Sequence, residues 1–148
     1  MVRPGGEDPD DHDDPEGRTM LGRKTFTAEE IDHARTAVRA EVAALRAHDD
    51  PALANALLLA LDRRFVHRIR ATSGKDTNPV TEVELLAESL LEHGGVMTPN
   101  KVIKYDPARA VLGLAPGDTI ALDAASLERL ADAFLAELAV RFGEVAPV

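Results

Sequence analysis

Four arginines and a histidine fall within eight consecutive residues of this chain, in a run that spans residues 63–70. Guanidinium groups match the geometry of phosphate and carboxylate, so such a run predicts contact with an anion rather than catalysis. The surrounding sequence makes the run unusual, because the formal net charge is −9 at pH 7. Later cations extend the predicted anion or nucleic-acid contact set, whose members are Arg63, Arg64, His67, Arg68, Arg70, Lys75, Lys101, Lys104 and Arg109.

The arginine run has two interpretations. On a helix, Arg64, His67 and Arg68 face the same way, and they would form a phosphate contact with salt-dependent affinity. Alternatively, the run is a solvated helix face that pairs with the glutamates of the following helix. We favour the second interpretation, since the nearby aromatic Phe65 falls on the predicted core face and leaves no ring to stack on bases.

No catalytic or metal motif of high specificity is present. Residues 73–77 contain a Gly-Lys pair, but the earlier glycine, the following hydroxyl residue and the leading strand of a phosphate loop are missing. His93 lies near Glu88 and Glu92, yet no second histidine stands at ligand spacing. The chain has no cysteine and no Gly-x-Ser-x-Gly. The sequence therefore predicts no metal, no cofactor and, on balance, no enzyme.

The first residues differ in composition from the rest. Residues 1–18 carry seven acidic residues against two arginines, which gives −5 of the net −9. A segment so charged and so poor in apolar residues cannot offset the entropy cost of ordering it. We therefore predict a disordered acidic tail over residues 1–24 and a single globular domain over 25–148. The opposite charges of the tail and the basic segment predict a contact between them.

Four helices are predicted from capping residues that precede apolar stripes at helical spacing. Two of these caps are followed by proline, which is favoured in the first turn. In the third helix, four glutamates (82, 84, 88 and 92) are predicted to face outward. The predicted helices run from Thr27 to His48, from Pro51 into the arginine run, from Pro79 to His93 before a double glycine, and from Ala124 to Phe142.

Between the third and fourth helices the pattern changes to short β-type runs. Residues 101–105 and 119–122 are predicted strands, and residues 110–114 form either a third strand or a single helical turn. The predicted fold is therefore an α-rich α+β class: three N-terminal helices, a small antiparallel two- or three-strand unit and a long C-terminal helix. Exposed edges of so small a sheet favour a homodimer.

Residues 112–120 resemble part of the swapped-hairpin barrel of AbrB-type transcription regulators, in which a Leu-Gly-hydrophobic step and a Pro-Gly-Asp turn lead into a strand. The resemblance implies an intertwined dimer that binds DNA through Lys101, Lys104 and Arg109. Turns of this type also occur wherever two strands meet, and the long helix that follows is not part of such barrels. We therefore interpret the stretch as a local turn.

These features favour a non-enzymatic module that binds another macromolecule, as a protein-interaction or adaptor module, and that self-associates. A protein partner or self-association is favoured over nucleic acid; the alternative is a nucleic-acid-binding regulator that uses the segment from Arg63 to Lys75. A second alternative is an enzyme whose site is assembled from distant groups such as His93, Lys75 and Asp76. No apolar run approaches the length of a membrane span and no leader is evident, so we expect a cytoplasmic protein with no membrane partner.

Overall fold

Four α-helices and one short 3₁₀ turn make up the regular structure of the described residues. The computed structural model describes residues 25–69 and 73–143, with residues 67–69 described by their backbone alone, and the predicted acidic tail lies outside these ranges. The elements are α1 (Ala28–Ala47), α2 (Pro51–Ile69), α3 (Pro79–Glu92), the 3₁₀ turn (Pro107–Arg109) and α4 (Ala124–Phe142). None of the described helices combines the length and apolarity needed to cross a bilayer.

The predicted helix starts are confirmed. Thr27 Oγ1 accepts a hydrogen bond from Glu30 N at 3.0 Å, and Glu30 Oε2 accepts one from Thr27 N at 3.2 Å, which completes a capping box. Asn78 caps α3 by accepting from Thr81 N at 3.0 Å, and Asp123 caps α4. Because these caps join residues only a few positions apart, sequence alone places them well.

The helices pack around α4, which contacts α1, α2 and α3. The four phenylalanines of the chain form a connected row of rings in this core. Phe26 meets Phe65 edge-to-face at a centroid distance of 5.0 Å and Phe142 at 6.4 Å, while Phe65 lies 5.9 Å from Phe134. Phe26 N also donates to Phe142 O at 2.8 Å, so the segment before α1 is fixed to the end of α4.

The prediction of an α+β fold is wrong, because the described residues contain no strand or sheet. Residues 94–123 cross from α3 to α4 as a long irregular connection. Its antiparallel pairing is limited to an isolated bridge between Val96 and Thr119, beside the bond from Ile120 N to Gly95 O at 2.8 Å. Residues 101–105, the other predicted strand, form no backbone hydrogen bond with residues 119–122.

Polar side chains form hydrogen bonds with backbone N–H and C=O groups that strand pairing would have used in a sheet. Asn100 Oδ1 accepts from Val102 N at 2.9 Å and from Ile103 N at 2.8 Å. Asn55 of α2 bonds the second predicted strand, donating to Ile120 O at 3.0 Å and accepting from the amide of residue 122 at 3.3 Å. Ile103, Ile120 and Leu122 are buried, whereas Val102 is exposed, so the β-type pattern indicated burial at three of these positions without strand pairing.

Glu82 satisfies a third part of this connection. The Glu82 carboxylate accepts hydrogen bonds from Val111 N at 2.7 Å and from Leu112 N at 2.9 Å, and Glu82 is only 1% exposed. The outward orientation predicted for Glu82 is therefore wrong. Glu84 is also buried and accepts from Ser73 Oγ at 2.9 Å.

The stretch that resembles an AbrB-type barrel forms a turn. Ala115 N donates to Asp118 Oδ2 at 2.8 Å, and Asp118 N donates back to Ala115 O at 3.0 Å. The strand that should follow is reduced to the single bridge residue Thr119. This agrees with the interpretation of the stretch as a local turn.

Candidate anion-binding cleft

A cleft of about 500 Å³ lies between the loop that precedes α3 and the segment that leads into the 3₁₀ turn. Three of the predicted contact residues line this cleft: Lys75 belongs to the loop before α3, and Lys104 and Arg109 belong to the segment around the 3₁₀ turn. We call this site the cationic cleft, and its lining residues are Lys75, Asp76, Thr77, Lys104, Tyr105, Asp106 and Arg109.

The two walls of the cationic cleft are joined by hydrogen bonds at three points. Lys104 N donates to Lys75 O at 2.6 Å. The hydroxyl of Thr77 donates to Lys104 O at 3.0 Å and accepts from Asp106 N at 2.7 Å. The backbones that carry the cations are therefore held in one relative position.

The cap of α3 also fixes the loop that carries Lys75. Asn78 Nδ2 lies 3.3 Å from both Ser73 O and Asp76 O, and Thr81 Oγ1 donates to Asp76 O at 2.7 Å. Gly74 adopts a φ of +99°, which a residue with a side chain rarely tolerates. The local sequence thus builds a helix start and a cleft wall with the same residues.

The charges of the cleft are arranged so that its cations remain available. Lys75, Lys104 and Arg109 are exposed, and none of the three side chains makes a hydrogen bond or ion pair within the part of the chain that the structure describes. The two aspartates, in contrast, have partners: Asp76 Oδ1 accepts from an amide of the α3 cap at 3.3 Å, and Asp106 Oδ1 caps the 3₁₀ turn at 3.0 Å. An anion that contacts these cations therefore displaces no described hydrogen-bond or ion-pair partner.

Tyr105 forms part of the wall and holds the connection behind the cleft. Its hydroxyl donates to Leu114 O at 2.6 Å. Burial, reinforced by the negative charges of Glu82, Asp118 and Asp106, raises the pKa of Tyr105 to about 12. The phenol therefore stays protonated at neutral pH and acts as a hydrogen-bond donor, not as a base.

This pKa can be measured directly, because Tyr105 is the single tyrosine and the chain has no tryptophan. We expect phenolate absorbance of the folded protein to rise with a midpoint at about 12, and that of the urea-unfolded chain at the ordinary value of 10. Since the pKa is higher in the folded state, this group's contribution to stability should be lost as the pH rises from 10 to 12. A midpoint near 10 in the folded protein would contradict the burial of this hydroxyl.

The arginine run does not join the cleft in the described residues. Arg64 Nη2 donates to Glu41 Oε2 of α1 at 2.8 Å. We expected Arg64 to pair with a glutamate of α3, and it pairs with α1 instead. Arg63 is exposed. The side chains of His67 and Arg68 and all of Arg70 lie outside the described part, and the patch predicted for this run stays a prediction.

Lys101 is exposed on the same connection but does not line the cleft. Sequence reasoning missed Thr77, Tyr105 and Asp106 as lining residues. A signal for two of them exists, since Thr77 precedes Asn-Pro and Asp106 precedes proline, and both positions are typical of a helix or turn start.

A second group of polar side chains lies at the end of α3. The ligand atoms of Glu88, Glu92 and His93 are within 4.8 Å of one another, and Glu88 Oε1 accepts from Asn100 Nδ2 at 2.9 Å. Glu92 and His93 are exposed, and exposed acidic groups often lie this close without binding an ion. His93 is not among the residues that line the cationic cleft.

The chain matches no family model, no curated protein and no solved structure. The case for a function therefore depends on the chemistry of the cleft itself. Its described lining offers three cations, two carboxylates, a hydroxyl and a phenol, a set whose cations can contact an anion.

Proposed function

We propose that this chain is a non-enzymatic binding module that holds an anionic group of another macromolecule in the cationic cleft. The observation that carries the proposal is that Lys75, from one segment, and Lys104 and Arg109, from a second, line one cleft in which none of them has a described partner. Surface cations that only keep a protein soluble can be spread over the surface and do not have to line one cleft. The hydrogen bonds that hold both walls reduce the entropy cost of binding.

A protein fits this cleft better than a nucleic acid does. Asp76 and Asp106 line the same cleft and would repel the successive phosphates of a polyanion. Lys101, which would extend a track of cations, lies outside it. The hydroxyl of Tyr105 is held by Leu114 O, and no other aromatic side chain lines the cleft for base stacking.

Self-association stays a prediction with a weaker basis. It was inferred from exposed strand edges, and the described residues contain no strand. Sedimentation of the full chain over a range of concentrations tests it independently of the cleft.

Reversing two charges of the cleft tests the proposed function. Isothermal titration calorimetry of the full chain with four anions (inorganic phosphate, O-phosphoserine, a short glutamate-rich peptide and a short single-stranded oligonucleotide) should give saturable binding of at least one. We expect the double variant Lys75→Glu, Lys104→Glu to weaken that binding by more than about tenfold, because each lost charged contact contributes about 1.5–3 kcal/mol.

Lys101→Glu is the matched control, because it makes the same change at an exposed lysine of the same connection that does not line the cleft. It should leave the affinity within about twofold. If none of the four anions binds at low salt, or if Lys101→Glu weakens binding as strongly as the double variant, the proposed function is wrong.

A further inference from the structure

We infer that the group recognised by the cationic cleft is a phosphate monoester in its dianionic form. This inference rests on the proposed function, because it specifies the chemistry of the anion that the same cleft binds. It is carried by the number of cations, by the aspartates beside them and by the size of the cleft.

The number of cations matches a phosphate monoester. Such a group carries a charge of about −1.5 to −2 at pH 7 and presents three acceptor oxygens. A carboxylate or a phosphodiester carries one negative charge and offers two unesterified oxygens, so it would compensate less of the positive charge of Lys75, Lys104 and Arg109 than a dianion does. A dianion with three acceptor oxygens therefore gains more from the three cations than a singly charged group does.

The aspartates favour a compact anion over an extended one. Asp76 Oδ1 and Asp106 Oδ1 already accept hydrogen bonds, from Asn78 Nδ2 and Ala108 N, and both carboxylates line the cleft. A compact dianion can be held by the cations of the cleft at one place, but a row of phosphates would have to pass the carboxylates. Repulsion by the carboxylates therefore selects against polyanions.

The types of cation in the cleft and the volume of the cleft are compatible with a phosphate monoester. Arg109 supplies a planar fork that can donate two parallel hydrogen bonds, while Lys75 and Lys104 supply point charges. The volume of about 500 Å³ lies within the range of small-ligand sites and leaves room for part of the carrier next to Tyr105.

Two sources could present a phosphate monoester: a phosphorylated side chain of a partner protein or a free small molecule. Both share the chemistry that the cleft would recognise, and the proposed function selects the first. The test therefore compares a peptide centred on phosphoserine with free O-phosphoserine, with the same peptide carrying glutamate in place of phosphoserine, and with a short oligonucleotide.

At about pH 7.5 we expect the full chain to bind the phosphopeptide at least about tenfold more tightly than the glutamate peptide in calorimetry. Emission from Tyr105, the single tyrosine, should change on binding, because it lies in the cleft wall. Arg109→Lys keeps the charge but loses the fork, so it should weaken binding by several-fold, and Lys101→Ala should not weaken it.

The pH dependence identifies the dianion. The second pKa of a phosphate monoester is about 6, so the preference for phosphopeptide over glutamate peptide should shrink by about pH 5. The charged and titratable groups that face the anion are Lys75, Asp76, Lys104, Tyr105, Asp106 and Arg109, and they are the same for both peptides. The ratio of the two affinities therefore reports the ligand's own titration.

Each of the other outcomes overturns either the phosphate inference or a stated part of the proposed function. Equal affinity for the glutamate and phosphoserine peptides, lost in the double variant Lys75→Glu, Lys104→Glu, would overturn the phosphate inference and leave the proposed function standing. Free O-phosphoserine binding as tightly as the phosphopeptide would support the phosphate inference and overturn the macromolecular partner. Cleft-dependent binding of the oligonucleotide above all others would overturn the inference and the choice of a protein partner.

Discussion

Replacing Glu82 with alanine is expected to lower the free energy of unfolding by about 2–4 kcal/mol. The carboxylate accepts hydrogen bonds from Val111 N and Leu112 N in a position that is 1% exposed, and alanine would leave both amides without an acceptor. Each unsatisfied buried donor costs about 1–3 kcal/mol, and relief of the buried charge returns part of the total. Urea unfolding followed by far-UV circular dichroism measures the change.

Glu92→Ala is the matched control on the same helix, because Glu92 is exposed, and it should change the stability by less than about 0.5 kcal/mol. The Glu82 variant should also loosen the cleft, since Val111 follows Arg109 closely and Tyr105 bonds to Leu114 O in the same segment. Equal stability of the two variants would show that these backbone bonds do not hold the connection.

The charge of Glu82 adds a pH dependence of known sign. Burial raises the pKa of Glu82 above its ordinary value of 4.5, against the lowering effect of the bonds from Leu112 and Val111 and of the charge of Arg129. The folded state therefore binds this proton more tightly than the unfolded state does. The contribution of Glu82 to stability should fall as the pH rises from 4.5 to the raised value and stay constant above it.

Glu82→Gln isolates this effect, because glutamine does not titrate. The stability of the wild type relative to the glutamine variant should decline with rising pH across that interval. A parallel pH profile for the two proteins would mean that Glu82 titrates alike in the folded and unfolded states, which its burial does not allow.

The irregular connection shows why the sequence predicted the helices but not the rest of the fold. The caps at Thr27 and Asn78 bond amides two or three residues away, and such short-range bonds are written in the local sequence. Glu82 instead bonds amides 29 and 30 residues away, and Asn55 bonds groups 65 and 67 residues away. The apolar pattern of residues 101–105 and 119–122 indicated burial, which strand pairing and side-chain hydrogen bonds satisfy equally well.

For the candidate site, as for the fold, the sequence predicted the local features but not the long-range contacts. Lys75, Lys104 and Arg109 were identified as anion contacts from residue type, but their convergence depends on the bond from Lys104 N to Lys75 O, which no local pattern indicates. The arginine run looked more coherent because its members are adjacent in sequence. Arg64 nevertheless pairs with Glu41, 23 residues away. Adjacency in the sequence therefore did not indicate the partner that Arg64 takes in the fold.

The second large effect is expected from Phe26→Ala. Phe26 is fully buried, packs edge-to-face on Phe65 and contacts Phe142, so its ring joins the segment before α1 to both α2 and α4. Truncating a buried phenylalanine to alanine costs about 3–5 kcal/mol, part of it from the cavity that is left. For a domain of this size we expect Tm to fall by more than about 10 °C.

Phe26→Leu separates the contribution of the ring from that of the filled volume. Leucine occupies most of the space but makes no edge-to-face contact, and it should cost about 1–1.5 kcal/mol. The backbone bond from Phe26 N to Phe142 O does not depend on the side chain and remains available in both variants. If Phe26→Ala lowered Tm no more than Phe26→Leu does, that backbone bond and not the ring would anchor the start of the fold. The packing of the four rings requires that the Tm of Phe26→Ala lie well below that of Phe26→Leu, and that the Tm of Phe26→Leu lie slightly below that of the wild type.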